Sequence, residues 1–318
     1  MKKLHIVLFL ILSYMLIIAC GSTKANNSQP VNESQSVADG SVINTEAIEP
    51  TKFSEPTNTI EMLPTATPEN IISVEEQVVL DQDDIKITIK SLSFDGFFGP
   101  SLKLLIENNR SSNITVQVRN SSINDVMVEP MFSCDVASGK KANDEISFMS
   151  SDLKEANITT IKNIEFSFHI FDTDSWDTVL DSDLINLSTN ADPNFVQTYD
   201  DSGFVSLNTN DIKIVVKKLD SEDSFWGTDI YLYIENNSAS NITVQTRDMS
   251  VNGFMIEPLF SCDVSAGKKA YDKITFLESD LSENDIENIT DLEFSFHIFN
   301  TDTWNTVIDS DNITVSFE

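Results

Sequence analysis

The chain is poor in basic residues, cysteine, glycine and histidine. Its 318 residues carry 20 Lys and Arg against 51 Asp and Glu, a formal charge of −31. Binding DNA or RNA needs clustered cations to neutralise phosphates, so no nucleic acid is expected as a partner. The same shortage excludes a polybasic membrane-surface protein. Three cysteines cannot build a disulfide framework. Nucleotide-binding glycine fingerprints, GxSxG and HExxH are all absent from the sequence. No enzyme and no cofactor is expected. The chain is nevertheless 40% hydrophobic, enough for a packed core.

The N-terminus places Lys2 and Lys3 before an apolar run from His5 to Ala19, closed by Ile17, Ile18, Ala19 and Cys20. Fifteen apolar residues are short for a membrane span, which needs about 20, but suit a signal-peptide core. The order resembles the lipobox of bacterial lipoprotein signal peptides. That resemblance implies cleavage before Cys20, lipid attachment to its sulfur, and anchoring at the extracytoplasmic face of the cell membrane. Two or more acyl chains anchor stably where one does not. Residues 1–19 then form the signal peptide. Residues 20–73 are rich in Ser, Thr, Asn, Pro and Glu and read as a disordered tether.

The remainder is an internal repeat. Residues 106–183 align without gaps on 234–311 at an offset of 128, with 49 identities in 78 pairs. The expected domains are residues 74–188 and 204–318, joined by a polar linker at 189–203. In the second copy Ile212, Ile214 and Val216 alternate with Lys213, Val215 and Lys217. Ile230, Leu232 and Ile234 alternate with Tyr231 and Tyr233, and Phe294, Phe296 and Ile298 alternate with Glu293, Ser295 and His297. Period-two alternation marks half-buried strands. Asn252-Gly253 predicts a two-residue hairpin, with Asn124-Asp125 as its counterpart. One short helix per copy is expected near 151–158 and 279–286, with Ser279 as a candidate cap. The fold class is therefore all-β: two tandem antiparallel β-sandwich domains, each with one short helix, after a disordered tether. The layout resembles the immunoglobulin-like domains carried in tandem by uncharacterised cell-surface lipoproteins of low-GC Gram-positive bacteria. That likeness implies fold and setting, and no functional residues.

Candidate sites come in matched pairs. Cys134 and Cys262 sit one per copy; a buried inert thiol, a bridge between the copies and a nucleophile are the alternatives. His169 and His297 lie on the polar side of a strand. Asp174, Asp181 and Asp183, and their counterparts Asp302, Asp309 and Asp311, offer the oxygen ligands calcium prefers, although the glycine and bidentate Glu of an EF-hand loop are missing. The alternative is a polar turn whose Asp side chains bond nearby amides. Trp176 and Trp304, set among polar turn residues, either cover a core end or stack on a ligand. Phe97 and Phe98, matched by Trp226, are adjacent aromatics in a loop and form a candidate contact surface. Lys140-Lys141 and Lys268-Lys269 read as solvated turns or as contacts to an anionic polymer. The expected function is a non-enzymatic binding or adhesion module meeting an envelope protein or polysaccharide, with a structural envelope stalk or an accessory subunit without its own ligand as the alternative.

Overall fold

A computed structural model describes residues 72–221, 224 and 226–317. Cys20, the signal peptide and almost all of the tether lie outside them. The chain divides after Thr65, and the second unit, Ala66–Glu318, holds every described residue.

The first repeat opens with β1 (Gln77–Gln82), β2 (Ile85–Ser93) and β3 (Ser101–Asn108). It continues through β4 (Ile114–Ile123), β5 (Val126–Met127), β6 (Ser133–Val136) and β7 (Lys141–Ser147). The helix α1 (Ser150–Glu155) precedes β8 (Asn163–Asp172), β9 (Thr178–Asp181) and β10 (Ile185–Ser188). The second repeat runs in the same order: β11 (Phe204–Thr209), β12 (Ile212–Asp220), β13 (Gly227–Asn236), β14 (Ile242–Val251), β15 (Phe254–Met255), β16 (Cys262–Val264), β17 (Lys269–Leu277), α2 (Glu278–Glu283), β18 (Asp291–Asn300), β19 (Thr306–Asp309) and β20 (Ile313–Ser316).

Each repeat is a sandwich. In the first, the sheet β1-β2-β3-β7 faces a sheet built on β4 and β8, and both pair antiparallel throughout. Ile87, Leu104 and Ile146 from one sheet meet Val116, Phe166 and Phe168 from the other in one core. Ile214, Leu232, Ile274, Val244, Phe294 and Phe296 do the same in the second. The alternation that predicts the strands is thus the alternation that fills the cores.

The turns explain how so few glycines suffice. Both residues of the Asn124-Asp125 turn have positive φ (51° and 65°), as do Asn252 (50°) and Gly253 (85°). These are the angles of the hairpin turn that matches strand twist. Asp83-Asp84 and Asn210-Asp211 repeat the device. Asn and Asp tolerate left-handed backbone because their short polar side chains bond locally.

The helices depart from expectation. Leu277 precedes α2 and supplies no side-chain cap, so Ser279 lies inside the first turn and caps nothing. Leu281 anchors the short helix by burial instead.

The two repeats are joined as well as linked. Lys269 donates its amide to the Asp125 carbonyl at 2.9 Å, and a single parallel register pair, Lys269 with Val126, makes β17 continuous with β5. Lys268 bridges Asp125 at 2.7 Å and Glu165. Met127 packs on the second core and Tyr271 on the first. The segment 189–203 is a packed strap. Lys162 donates to the carbonyls of Pro193 and Phe195, and Gln197 receives a bond from Asn124. The Tyr199 hydroxyl donates to the Asn124 carbonyl at 3.0 Å, its ring lies under Lys269, and Asp200 exchanges bonds with the Tyr271 hydroxyl.

Candidate functional site

The Trp-bearing hairpin between β8 and β9 is built the same way in both repeats. Asp172 closes the loop: its amide donates to the Asp177 carbonyl and its carbonyl accepts from the Trp176 amide. One carboxylate oxygen of Asp172 accepts the amides of Asp174 and Ser175, both at 3.0 Å. Those backbone donors, Ser175 first, hold the Asp172 carboxyl below its ordinary range. In the second repeat the Asn300 side chain does the same for Asp302 and Thr303. The last loop position is Trp, with φ of 66° at Trp176 and 62° at Trp304. Every other non-glycine residue with positive φ among the described residues is Asn or Asp. A bulky side chain in this region costs about 1–2 kcal/mol.

The indole lies flat on a phenylalanine. Trp176 stacks on Phe171 with centroids 5.3 Å apart and planes 15° apart, and Trp304 on Phe299 at 5.3 Å and 14°. Phe171 and Phe299 are buried, yet neither belongs to the sandwich cores. The Trp residues therefore roof one phenylalanine each, on the outer face, and stay 66% and 76% exposed. The expectation that they cover a core end is corrected: the hairpin aims them at the face of β8, away from the space between sheets.

The row extends inward. The His169 ring sits 5.5 Å from Phe171, and its Nδ1 is 2.5 Å from the Asp181 carboxylate; His297, Phe299 and Asp309 reproduce this. Each repeat thus displays a His–Phe–Trp row. Polar groups flank it. Asn113 donates to Asp174 at 3.2 Å, and Asn241 to Asp302 at 3.4 Å.

The acidic residues that offer oxygen ligands for calcium already have partners within the loops. Asp181 and Asp309 are committed to histidines, and Asp174 and Asp302 to asparagines. Asp183 and Asp311 follow on the chain and accept a serine hydroxyl on their backbone carbonyls. Among the described residues, no three His, Cys, Asp or Glu groups converge as a metal site would require.

The second aromatic loop lies at the opposite end of β3. Phe97 is 95% exposed and meets Phe98 edge-on at 5.0 Å; Trp226 is exposed in the counterpart loop. Glycine is required beside both. At Gly99 (φ 147°) an added Cβ would lie 2.4 Å from the Phe148 carbonyl oxygen, and at Gly227 (φ 153°) 2.1 Å from that of Phe276. These close approaches clamp each aromatic loop on its helix start, where the amides of Ser150 and Glu278 donate to the carbonyls of Phe98 and Trp226.

Cys134 and Cys262 are free thiols, one buried in each core, so they do not bridge the copies. Burial and a neighbouring Asp144 push the Cys134 thiol up to about 12, and burial also raises Cys262. Raised thiols are poor nucleophiles. Sequence reasoning set His169 and His297 apart from the tryptophans. The spacing His-x-Phe within β8 put both rings on one face and was the available signal.

No known family model matches the chain, and no curated protein matches it. Among solved structures, the YadV chaperone is similar at 12% identity over 74% of this chain and 100% of that one, with a TM-score of 0.21. The Salmonella enterica SafA pilin in complex with the SafB chaperone matches at 11% identity over 68% and 89%, with a TM-score of 0.17. A protein of unknown function from Porphyromonas gingivalis matches at 10% identity over 77% and 99%, with a TM-score of 0.20. Likenesses at this level carry no argument about the site.

Proposed function

We propose that the chain is a lipid-anchored extracytoplasmic lipoprotein, of the kind low-GC Gram-positive bacteria display, that acts as a non-enzymatic binding module for an envelope polysaccharide. One observation carries the binding reading: each repeat holds an exposed tryptophan flat on a phenylalanine, in a backbone conformation unfavourable for it. Strain retained twice, at the same exposed place, is accounted for by work done there. A flat ring meets the C–H face of a pyranose, and the neighbouring asparagine, serine and carboxylate groups suit its hydroxyls. Two copies in one chain raise avidity by a factor on the order of 10²–10⁴ when both engage one polymer. The anchor is supported by the order of charge, apolar run, small residue and Cys20.

The test is co-sedimentation of residues 66–318 with purified envelope polysaccharide, comparing Trp176→Ala, Trp304→Ala and the double variant. Each single change should weaken binding at least about tenfold through lost avidity, and the double change should abolish it. Retention of both variants at parental affinity would sink the reading and leave the stalk. Palmitate labelling that persists in Cys20→Ser would separately remove the anchor.

A further inference from the structure

The joint between the repeats uses surfaces that each repeat possesses, and each repeat leaves one of them open. Repeat 1 presents its 124–127 hairpin to repeat 2, which receives it on residues 268–271. There Asn124 and Val126 are buried, Asp125 and Met127 half-buried, and Lys268, Lys269 and Tyr271 covered in turn. The same hairpin in repeat 2 is Asn252, Gly253, Phe254 and Met255, with Phe254 47% and Met255 69% exposed. The same receiving strand in repeat 1 is Lys140, Lys141, Ala142 and Asn143, of which both lysines and Asn143 are exposed. One end of the molecule therefore carries a bare donor hairpin, and the other a bare acceptor strand.

We propose that the chain self-associates head to tail, the 252–255 hairpin of one molecule docking on residues 140–143 of a second copy. The occupant is a second copy because the mate of this hairpin is already present: the backbone pair docks inside every chain. The ionic anchor survives too. The internal pair is Lys268 with Glu165, and the open ends supply Lys140 and Glu293, the latter exposed. Phe254 and Met255 are apolar side chains standing bare on a chain of charge −31, and the strand they would meet carries Lys140 and Lys141, the latter paired with Glu107. Some internal contacts have no equivalent. Gly253 replaces Asp125, Asn143 replaces Tyr271, and the strap from Gln197 to Asp200 belongs to the internal joint. The joint between molecules is therefore weaker than the joint within one, which is also tethered. A contact between two different surfaces leaves one of each open after every addition, so it builds rows, or rings where the rotation closes, rather than dimers. Trp304 remains 76% exposed on the repeat that receives the internal hairpin, so docking at Lys140 leaves Trp176 accessible.

The test is sedimentation velocity on residues 66–318, the unit that contains both cores and the joint, from micromolar to millimolar concentration. The expected result is a coefficient that climbs with concentration past the dimer. Phe254→Asp with Met255→Asp should hold the protein monomeric while its melting temperature is unchanged, since both side chains are exposed. Lys140→Glu should weaken association about tenfold, and adding Glu293→Lys in the same chain should restore it. A monomer at millimolar concentration overturns the proposal. So does a plateau at the dimer, indifference to the paired Asp substitutions, or failure of the charge swap to rescue.

Discussion

Replacing Lys268 by Met keeps the aliphatic stem and removes only the ammonium group. The Lys268 side chain is 13% exposed, and its ammonium lies between Asp125, 49% exposed, and Glu165, 12% exposed. Burial disfavours its charge, but the bonds it donates to Asp125 and Glu165 outweigh that and raise its pKa. In Lys268→Met, Asp125 rehydrates at little cost. Glu165 does not, and keeps a largely buried carboxylate without its cation. Charge-assisted bonds contribute about 1.5–3 kcal/mol each, and removing one partner of a buried pair costs about 3–5 kcal/mol. Allowing for the exposure of Asp125, the joint should lose about 2–4 kcal/mol, which raises its opening equilibrium roughly 30- to 700-fold at 1.4 kcal/mol per decade. The readout is hydrogen exchange at the Lys269 amide, which is bonded to Asp125 across the joint. Lys140→Met, at the matching position of the first repeat, is the internal control and should leave exchange unchanged. Adding Glu165→Gln to Lys268→Met should recover part of the loss by discharging the stranded carboxylate. If Lys268→Met and Lys140→Met protect the Lys269 amide equally, the ionic account of the joint is wrong.

Three further outcomes follow from charged side chains. Partial desolvation by the surrounding protein, with Asp152 beside it, lifts the carboxyl of the surface-exposed Glu155 to about 7 against the opposing field of Lys273, with Asp272 and Lys218 also facing it. Its folded pKa lies above its unfolded one, so its contribution is complete below about pH 4.5 and is lost as pH rises through 7. Glu155→Gln should accordingly raise the melting temperature at pH 8 and leave it nearly unchanged at pH 5; an equal shift at both would refute the assignment. In the second repeat the Asp229 carboxylate is fully buried, held at 2.6 Å by both Lys273 and Thr275. Lys273→Ala should cost about 3–5 kcal/mol in chemical denaturation, because it strands that charge. Glu145→Ala at the equivalent place, where the partner is the Ser101 hydroxyl, should cost only about 1 kcal/mol.

Strands and hairpins were legible because each depends on neighbours in sequence. Phe294, Phe296 and Ile298 announce their face by spacing, and Asn252-Gly253 announces its turn by the φ it needs. What escaped depends on the joint. Tyr233 and Val215 stand on the face that alternation assigns to solvent, yet both are buried, Tyr233 against Tyr271 beside the strap. Lys140 and Lys268 sit in the same Gly-Lys-Lys-Ala sequence and have opposite surroundings, so local pattern could not separate them. The departures from identity carried the signal: Asp125 against Gly253 and Tyr271 against Asn143 differ where their surroundings match. The tryptophan site was half legible. Its residues were singled out by composition, but stacking on Phe171 and the service of Asp181 to His169 depend on which loop folds over which strand.

The packed strap bears on how the protein can be divided. Severed within 189–203, the first half would present Val126 and Met127 to water, and the second Tyr233 and Tyr271. Neither repeat is a portable cassette, however alike their sequences. Each fragment would be stickier than the whole, and the smallest well-behaved piece for expression or crystallisation is the pair.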